Sequence, residues 1–149
     1  MSKGAVTKGE FIAFIMRALG IQNYNVTNVN MDFIPESTYK NIVLGAMDKG
    51  IVDINLIKGG QFICDSFITR EEAASLLVNA LEYKDVDIKS KSINDFADAA
   101  YISNWAIPYI EKAVGFGLYV GDSNLNFRPQ DFVSLQEAAA LIMRFVGHI

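Results

Sequence analysis

The sequence predicts a mostly α-helical repeat domain. Three observations carry that prediction. A capped helix start recurs three times, a unit of Asp-Phe, helix and glycine recurs twice, and apolar residues follow each cap at three- and four-residue spacing. The cap segments are Val6-Thr7-Lys8-Gly9-Glu10-Phe11, Ile68-Thr69-Arg70-Glu71-Glu72-Ala73 and Val133-Ser134-Leu135-Gln136-Glu137-Ala138. Thr69 follows Thr7 by 62 residues and Ser134 follows Thr69 by 65. Self-similarity at a fixed period marks a repeat architecture.

Behind each cap the pattern is helical. Ala73, Leu76, Leu77, Ala80 and Leu81 fall on one face of a helix, which is the signature of an element with one buried side. Comparable stretches run from Phe11 to Leu19 and from Ala138 to Val146. Thr7/Glu10, Thr69/Glu72 and Ser134/Glu137 each fit Ser/Thr-x-x-Glu. In such a capping box the hydroxyl accepts from a backbone N–H one turn on and the Glu reaches back.

The second recurring unit begins at Asp32-Phe33 and at Asp95-Phe96. Helices are predicted next, over about Thr38–Lys49 and Trp105–Phe116, each ended by a glycine, Gly50 or Gly117. Glycine past a helix end takes the left-handed conformation that closes it. Loops ending in Phe62 or Phe127 lead back to a capped helix. The units fall at about 31–83 and about 94–149, with a partial one at about 1–20 holding only the last helix. The charged stretch 84–93 and the asparagine-rich stretch 21–30 read as linkers. Phe62, Phe67, Phe127 and Phe132 are expected in the core.

Composition narrows the function. Half the chain is apolar (51%), enough for a packed core. The formal net charge is −4, from 17 acids and 13 bases, with no Lys/Arg run, so nucleic acid is not the expected partner. No apolar run approaches the roughly 20 residues that span a bilayer, so no membrane insertion is expected, and the first residues carry no signal-peptide pattern. A lone cysteine, Cys64, cannot form an internal disulfide and reads as a small core hydrophobe. His148, the only histidine, sits one residue from the end, a poor place for a catalytic triad. Metal-ligand spacing is absent and no cofactor is called for. The adjacent Glu71 and Glu72 do not face each other on a helix, which leaves little for a hydrolase of wall polysaccharide.

The combined pattern resembles the S-layer homology repeat. That family shows an Asp-Phe start, a Trp-Ala helix, a Gly-Ile turn, a Gly-rich loop ending Phe-x-Pro, and an Ile-Thr-Arg-x-Glu helix start. The last unit carries Asp95-Phe96, Trp105-Ala106, Gly117-Leu118, Gly121-Asp122 and Phe127-Arg128-Pro129; the middle one carries Asp32-Phe33, Gly50-Ile51, Phe62 and Ile68-Thr69-Arg70-Glu71-Glu72-Ala73. The last unit departs from the pattern at Ser134-Leu135-Gln136, and the middle one at Phe62-Ile63-Cys64 and Thr38-Tyr39. The resemblance implies a pseudo-threefold domain with a central three-helix bundle and helix-loop lobes, here with two full lobes. It implies a non-catalytic module at the cell surface or S-layer that anchors a larger protein to an anionic, pyruvylated secondary cell-wall polysaccharide. A protein–protein assembly module, docking on sister chains with degenerate glycan sites, is the alternative.

Candidate glycan-binding residues follow. Arg70 and Lys8 place cations in a first helical turn, where the helix dipole favours acids. A local rule broken in this way marks a candidate site, and N–H groups with a cation make an anion site. A plain ion pair with Glu71, Asp65 or an acid of the neighbouring unit is the structural alternative for Arg70. Thr69 caps the Arg70 helix. Gly60, Gly121 and Asp122 belong to the loops, where glycine lets backbone approach a sugar. Trp105 can stack on a ring or pack in the core. Leu135 occupies the matching place in the third helix start, which implies a degenerate site there.

Overall fold

The structure, a computed structural model, describes residues 4–22, 32–122 and 124–149. Most of the asparagine-rich stretch predicted as a linker, including Asn23, Asn25, Asn28 and Asn30, lies outside the described residues. Five α-helices are present among them: α1 (Lys8–Ala18), α2 (Lys40–Asp48), α3 (Arg70–Tyr83), α4 (Ile107–Gly115) and α5 (Leu135–Val146). Short 3-10 turns at Ile54–Leu56, Ile93–Asp95, Ala99–Tyr101 and Asn104–Ala106 shape the connections. Extended pairing among the described residues is limited to isolated bridges, so the domain is mostly helical.

The caps behave as their sequence predicts at two of three places. Thr7 and Thr69 each accept from the N–H of the glutamate three residues on, and Glu10 and Glu72 each reach back to the cap N–H at 3.0 Å. At α5 only half the box forms. Ser134 accepts from the Glu137 N–H at 3.0 Å, but the Glu137 carboxylate turns away to pair with Arg70. A charge-assisted pair with a guanidinium outweighs a neutral backbone donor.

The helix ends are also as expected. Gly50 and Gly117 sit at φ +72° and +87°. The residue after each donates back across the turn, Ile51 N–H to Ala46 and Leu118 N–H to Ala113. This is the six-to-one bond of a Schellman turn. Asp85, at φ +57°, stands in for glycine after α3, with Val86 N–H bonding to Leu81. The α4 helix begins later than its predicted start because Pro108 fixes its first turn; Trp105 instead lies in the preceding 3-10 turn.

The three helix starts meet in a closed ring of backbone bonds. Val6 N–H donates to Val133 at 2.9 Å, Val133 N–H to Ile68 at 3.0 Å, and Ile68 N–H to Val6 at 3.0 Å. Each helix then spends its first free amide on the loop before another helix. Lys8 N–H donates to Ser66, Arg70 N–H to Asp131 and Leu135 N–H to Gly4. These amides have no partner inside their own helix, so the bonds both satisfy them and hold α1, α3 and α5 together at one end.

The core follows. Phe11, Phe62, Phe127 and Phe145 are fully buried, as is Cys64 to within 2%. Phe67 and Phe132 are not in the core: they are 43% and 51% exposed and pack on each other with ring centroids 5.5 Å apart. Side chains alternate along extended backbone, and Ile68 and Val133 take the inward positions. The stretch 84–93 is more than a tether. Lys91 N–H donates to Glu111 at 2.9 Å, and a Cβ on Gly115 would meet the Lys89 carbonyl oxygen at 1.8 Å.

Two lobes clamp the central helices from outside. Helix α2 packs on α1, where the ring of Tyr39 lies over Gly9. Helix α4 packs on α3, where Glu71 accepts from both the N–H (3.0 Å) and the hydroxyl (2.6 Å) of Ser103. Glu71 is 6% exposed, so its removal leaves two donors short of a buried acceptor. We expect Glu71→Ala to lower unfolding free energy by about 2 kcal/mol in urea titration, with the α4 lobe gaining most in amide exchange.

Candidate functional site

The charged first turns are paired between helices. The Lys8 ammonium reaches the Ser66 hydroxyl at 2.9 Å and Glu72 at 3.7 Å. Arg70 pairs with Glu137 through Nη1 and donates from Nε to the Phe127 carbonyl at 2.7 Å. Its guanidinium also lies 5.2 Å from the ring centroids of both Tyr119 and Phe127. Each cation at the first position of one helix thus meets the third-position glutamate of the next. The remaining member of the set, Leu135 against Glu10, has no cation.

Arg70 is only 7% exposed. Its neighbours make a groove of about 210 Å³ lined by Arg70, Tyr119, Val120, Arg128, Glu137 and Arg144 together with the α5 residues Ala140 and Leu141. Three arginines line it with one lining carboxylate, Glu137, and Asp122 and Asp131 reach Arg128 as well. Arg144 donates to the Leu118 carbonyl at 2.9 Å. Arg128 is 41% exposed in its side chain, lies 3.3 Å from Asp131 and 3.6 Å from Asp122, and its Nε has no hydrogen-bond partner though that atom is buried. Its backbone is held at φ +61° because Asp98 accepts from the N–H of both Phe127 and Arg128 at 2.8 Å.

The structure brings some of the predicted residues together. Lys8 and Thr69 meet at the α1–α3 junction through Glu72, which caps with one oxygen and pairs with the other. Asp122 reaches the groove through Arg128. The hydrogen bond from the Asn126 amide, helped by the Asn124 amide and the charge of the nearby arginines, holds the Asp122 carboxyl below its usual range against the opposing effect of burial. Gly121 lies beside it with Phe96 as its nearest neighbour. Gly60 and Trp105 do not line the groove. Gly60 forms the Lys58–Gln61 turn at φ +77°, and Trp105 packs edge-on against Tyr109 at 6.3 Å.

Sequence reasoning missed Arg128, Arg144 and Asp98. A signal for the first pair existed. Glu137, Ala140 and Arg144 recur at three and four residues along one face of α5, and Arg128 lies inside the Phe127-Arg128-Pro129 turn.

Tyr109 joins the two lobes by donating to Asp53 at 2.6 Å. Burial, then the bond to Asp53, pushes the Tyr109 phenol up from 10.0 to about 12. Burial also raises Tyr119. A raised folded-state value favours the neutral phenol, so this stability is present below pH 10.0 and is lost as pH climbs towards 12. We expect the melting temperature to fall on raising pH from 9 to 11, and Tyr109→Phe to remove part of that slope while costing about 1 kcal/mol at pH 7.

Residues 95–139, the α4 lobe and the first turns of α5, match the sequence profile of the S-layer homology domain. The segment 95–139 is an S-layer homology segment. The matched segment holds Tyr119, Val120, Arg128 and Glu137 of the groove. Over 141 residues, 92% of this chain, the sequence is 30% identical to an amylopullulanase of Thermoanaerobacterium thermosulfurigenes and 30% identical to the exoglucanase XynX of Acetivibrio thermocellus. It is 24% identical over 147 residues to the surface-layer 125 kDa protein of Lysinibacillus sphaericus. The chain spans 7%, 12% and 12% of those relatives' own lengths. No helix among the described residues is long and apolar enough to cross a membrane.

Proposed function

We propose that the chain is a non-catalytic anchoring module that holds a larger protein at the cell surface by binding an anionic, pyruvylated secondary cell-wall polysaccharide. The observation that carries this reading is the arginine groove. In a chain of net charge −4, Arg70, Arg128 and Arg144 converge on one pocket with one lining carboxylate. Arg70 is held by Glu137 and Arg128 lies near Asp122 and Asp131, while Arg144 makes no ion pair among the described residues, so an incoming carboxylate finds cationic donors there inside an overall negative field. Its apolar wall of Tyr119, Val120 and Leu141 suits the carbon face of a sugar.

The roles divide by exposure. Arg70 is fixed by Phe127 and Glu137 and lends charge from the wall of the groove. Arg128 and Arg144 are the more exposed groups and can grip a carboxylate in the bidentate manner of guanidinium. Gly121 and Asp122 set the loop that carries Arg128. Lys8 and Thr69 stand at the corresponding place one unit earlier, with Gly60 in that unit's loop, and Trp105 supports the lobe. Three units about a pseudo-threefold axis are supported by the closed ring at Val6, Ile68 and Val133. Relatives named as a surface-layer protein, an amylopullulanase and an exoglucanase, each matched over a small part of its length, fit a module shared among surface proteins.

The test is Arg128→Ala with Arg144→Ala, titrated against purified, pyruvylated wall polysaccharide. Each lost charge-assisted bond weakens binding by about 1.5–3 kcal/mol, so the pair should lower affinity by well over about tenfold. An unchanged affinity, with the double variant folded, would remove the groove as the site.

A further inference from the structure

The Arg128 side chain stands between two cavities. One is the arginine groove. The other is an open hollow of about 310 Å³ whose lining includes Asp98, Tyr101, Gln130 and Asp131, and Arg128 lines both. Its terminal nitrogens divide accordingly. Nη1 lies 3.3 Å from Asp131, a wall of the hollow, and Nη2 lies 3.9 Å from Glu137, a wall of the groove. Nε lies 3.6 Å from Asp122 and, though buried, has no hydrogen-bond partner. Close charge-assisted bonds run to about 2.7–2.9 Å, so all three contacts are loose and the guanidinium keeps donors for a ligand on either side.

The backbone at this ridge is strained. Arg128 sits at φ +61°, in the region that favours glycine. The two bonds that Asp98 accepts from Phe127 and Arg128 hold it there. Strain kept in place by its surroundings gathers at ligand sites. A glycine at 128 would relieve the strain and lose the guanidinium.

The walls of the hollow are fixed in place. Tyr101 N–H donates to the Asp98 carbonyl at 2.9 Å, and the next residue, Ile102, is buried and anchors that turn. Gln130 Nε2 donates to the Tyr101 carbonyl at 2.8 Å, which ties the opposite wall to the same turn. Tyr101 itself is 74% exposed, so its ring is not spent on the core, and an aromatic face suits the carbon face of a sugar. The charge differs from that of the groove. Two carboxylates, Asp98 and Asp131, line the hollow against Arg128. They repel a second anion, and the exposed carboxylate of Asp131 can accept from sugar hydroxyls.

We propose that the hollow at Tyr101 is an adjoining subsite for an uncharged sugar, the neighbour in the same polymer of the acidic sugar held in the arginine groove; the inference rests on that reading of the groove. The neutral ring lies on Tyr101 and its hydroxyls donate to Asp131. Arg128 serves both sugars from the ridge between them. The module then grips a stretch of polymer, an acidic sugar beside a neutral one, and not the acidic sugar alone.

The test titrates two probes into the intact chain by calorimetry: a pyruvylated monosaccharide, and a short oligosaccharide in which the same sugar is joined to a neutral one. The oligosaccharide should bind about tenfold more tightly, the effect of one or two further hydrogen bonds. Tyr101→Ala, at an exposed position that the fold does not depend on, should bring the oligosaccharide down to the level of the monosaccharide and leave the monosaccharide as it was. Arg128→Ala should weaken both probes. Equal affinity of the unaltered chain for the two probes would overturn the subsite and leave the arginine groove standing. So would a Tyr101→Ala chain that keeps the full gain of the oligosaccharide, or that loses both probes alike. Binding of neither probe to the unaltered chain would remove the groove reading and the subsite together.

Discussion

Phe127→Ala is expected to lower unfolding free energy by about 3–5 kcal/mol, the largest effect expected of any single substitution described. The ring is fully buried, lies 5.5 Å from Phe96 and 5.0 Å from Tyr119, and forms one of the two faces that hold the Arg70 guanidinium. Its truncation opens a cavity where the α4 lobe meets α3. For a domain of this length each kcal/mol moves the melting temperature by about 2–4 °C, so a drop of roughly 6–20 °C is expected by calorimetry. Phe67→Ala supplies the contrast. Its ring is nearly half exposed and rests only on Phe132 among aromatic partners. A loss of about 1 kcal/mol or less is expected there.

Arg70→Ala is the second large effect. The arginine makes a buried bond to the Phe127 carbonyl, an ion pair with Glu137 and two contacts with ring faces. Breaking a fully buried pair costs about 3–5 kcal/mol, but Glu137 is about a third exposed and water takes up part of the loss. A cost of about 2–3 kcal/mol is expected by urea titration. Arg70→Lys should not rescue it, because an ammonium cannot serve the Phe127 carbonyl and Glu137 in the same planar geometry. In a double-mutant cycle with Glu137→Gln, the coupling should be a clear fraction of the whole effect. Any weaker glycan binding of Arg70→Ala then mixes lost scaffold with lost charge, which is why Arg128 and Arg144 are the sharper probes of the groove.

Much of this was legible in the residues. Thr7, Thr69 and Ser134 marked the starts of the three central helices, and Gly50 and Gly117 marked the ends of the lobe helices, because caps and left-handed turns depend on nearest neighbours in sequence. The half-formed box at Ser134 was not legible. Glu137 is drawn away by Arg70, 67 positions earlier, and local pattern carries no information about such a partner. Phe67 and Phe132 were expected inside because aromatic residues usually bury. The alternation of extended backbone at Ile68 and Val133 turned them outward. Arg128 and Arg144 come from a loop and a helix 16 positions apart, and only the packing of the α4 lobe beside α5 places them in one groove. At Val6, Ile68 and Val133 the recurring β-branched residue marks extended backbone, but nothing in the side chains says that the three close into one ring of backbone bonds.

The most direct measurement is co-sedimentation of the intact chain with isolated cell-wall sacculi, before and after the secondary polysaccharide is stripped, in moderate and in high salt. The chain should sediment with intact sacculi, should remain in solution with stripped ones, and should be released as salt screens the arginine groove. Equal sedimentation with stripped sacculi, or none with intact ones, would contradict anchoring through an anionic wall polymer.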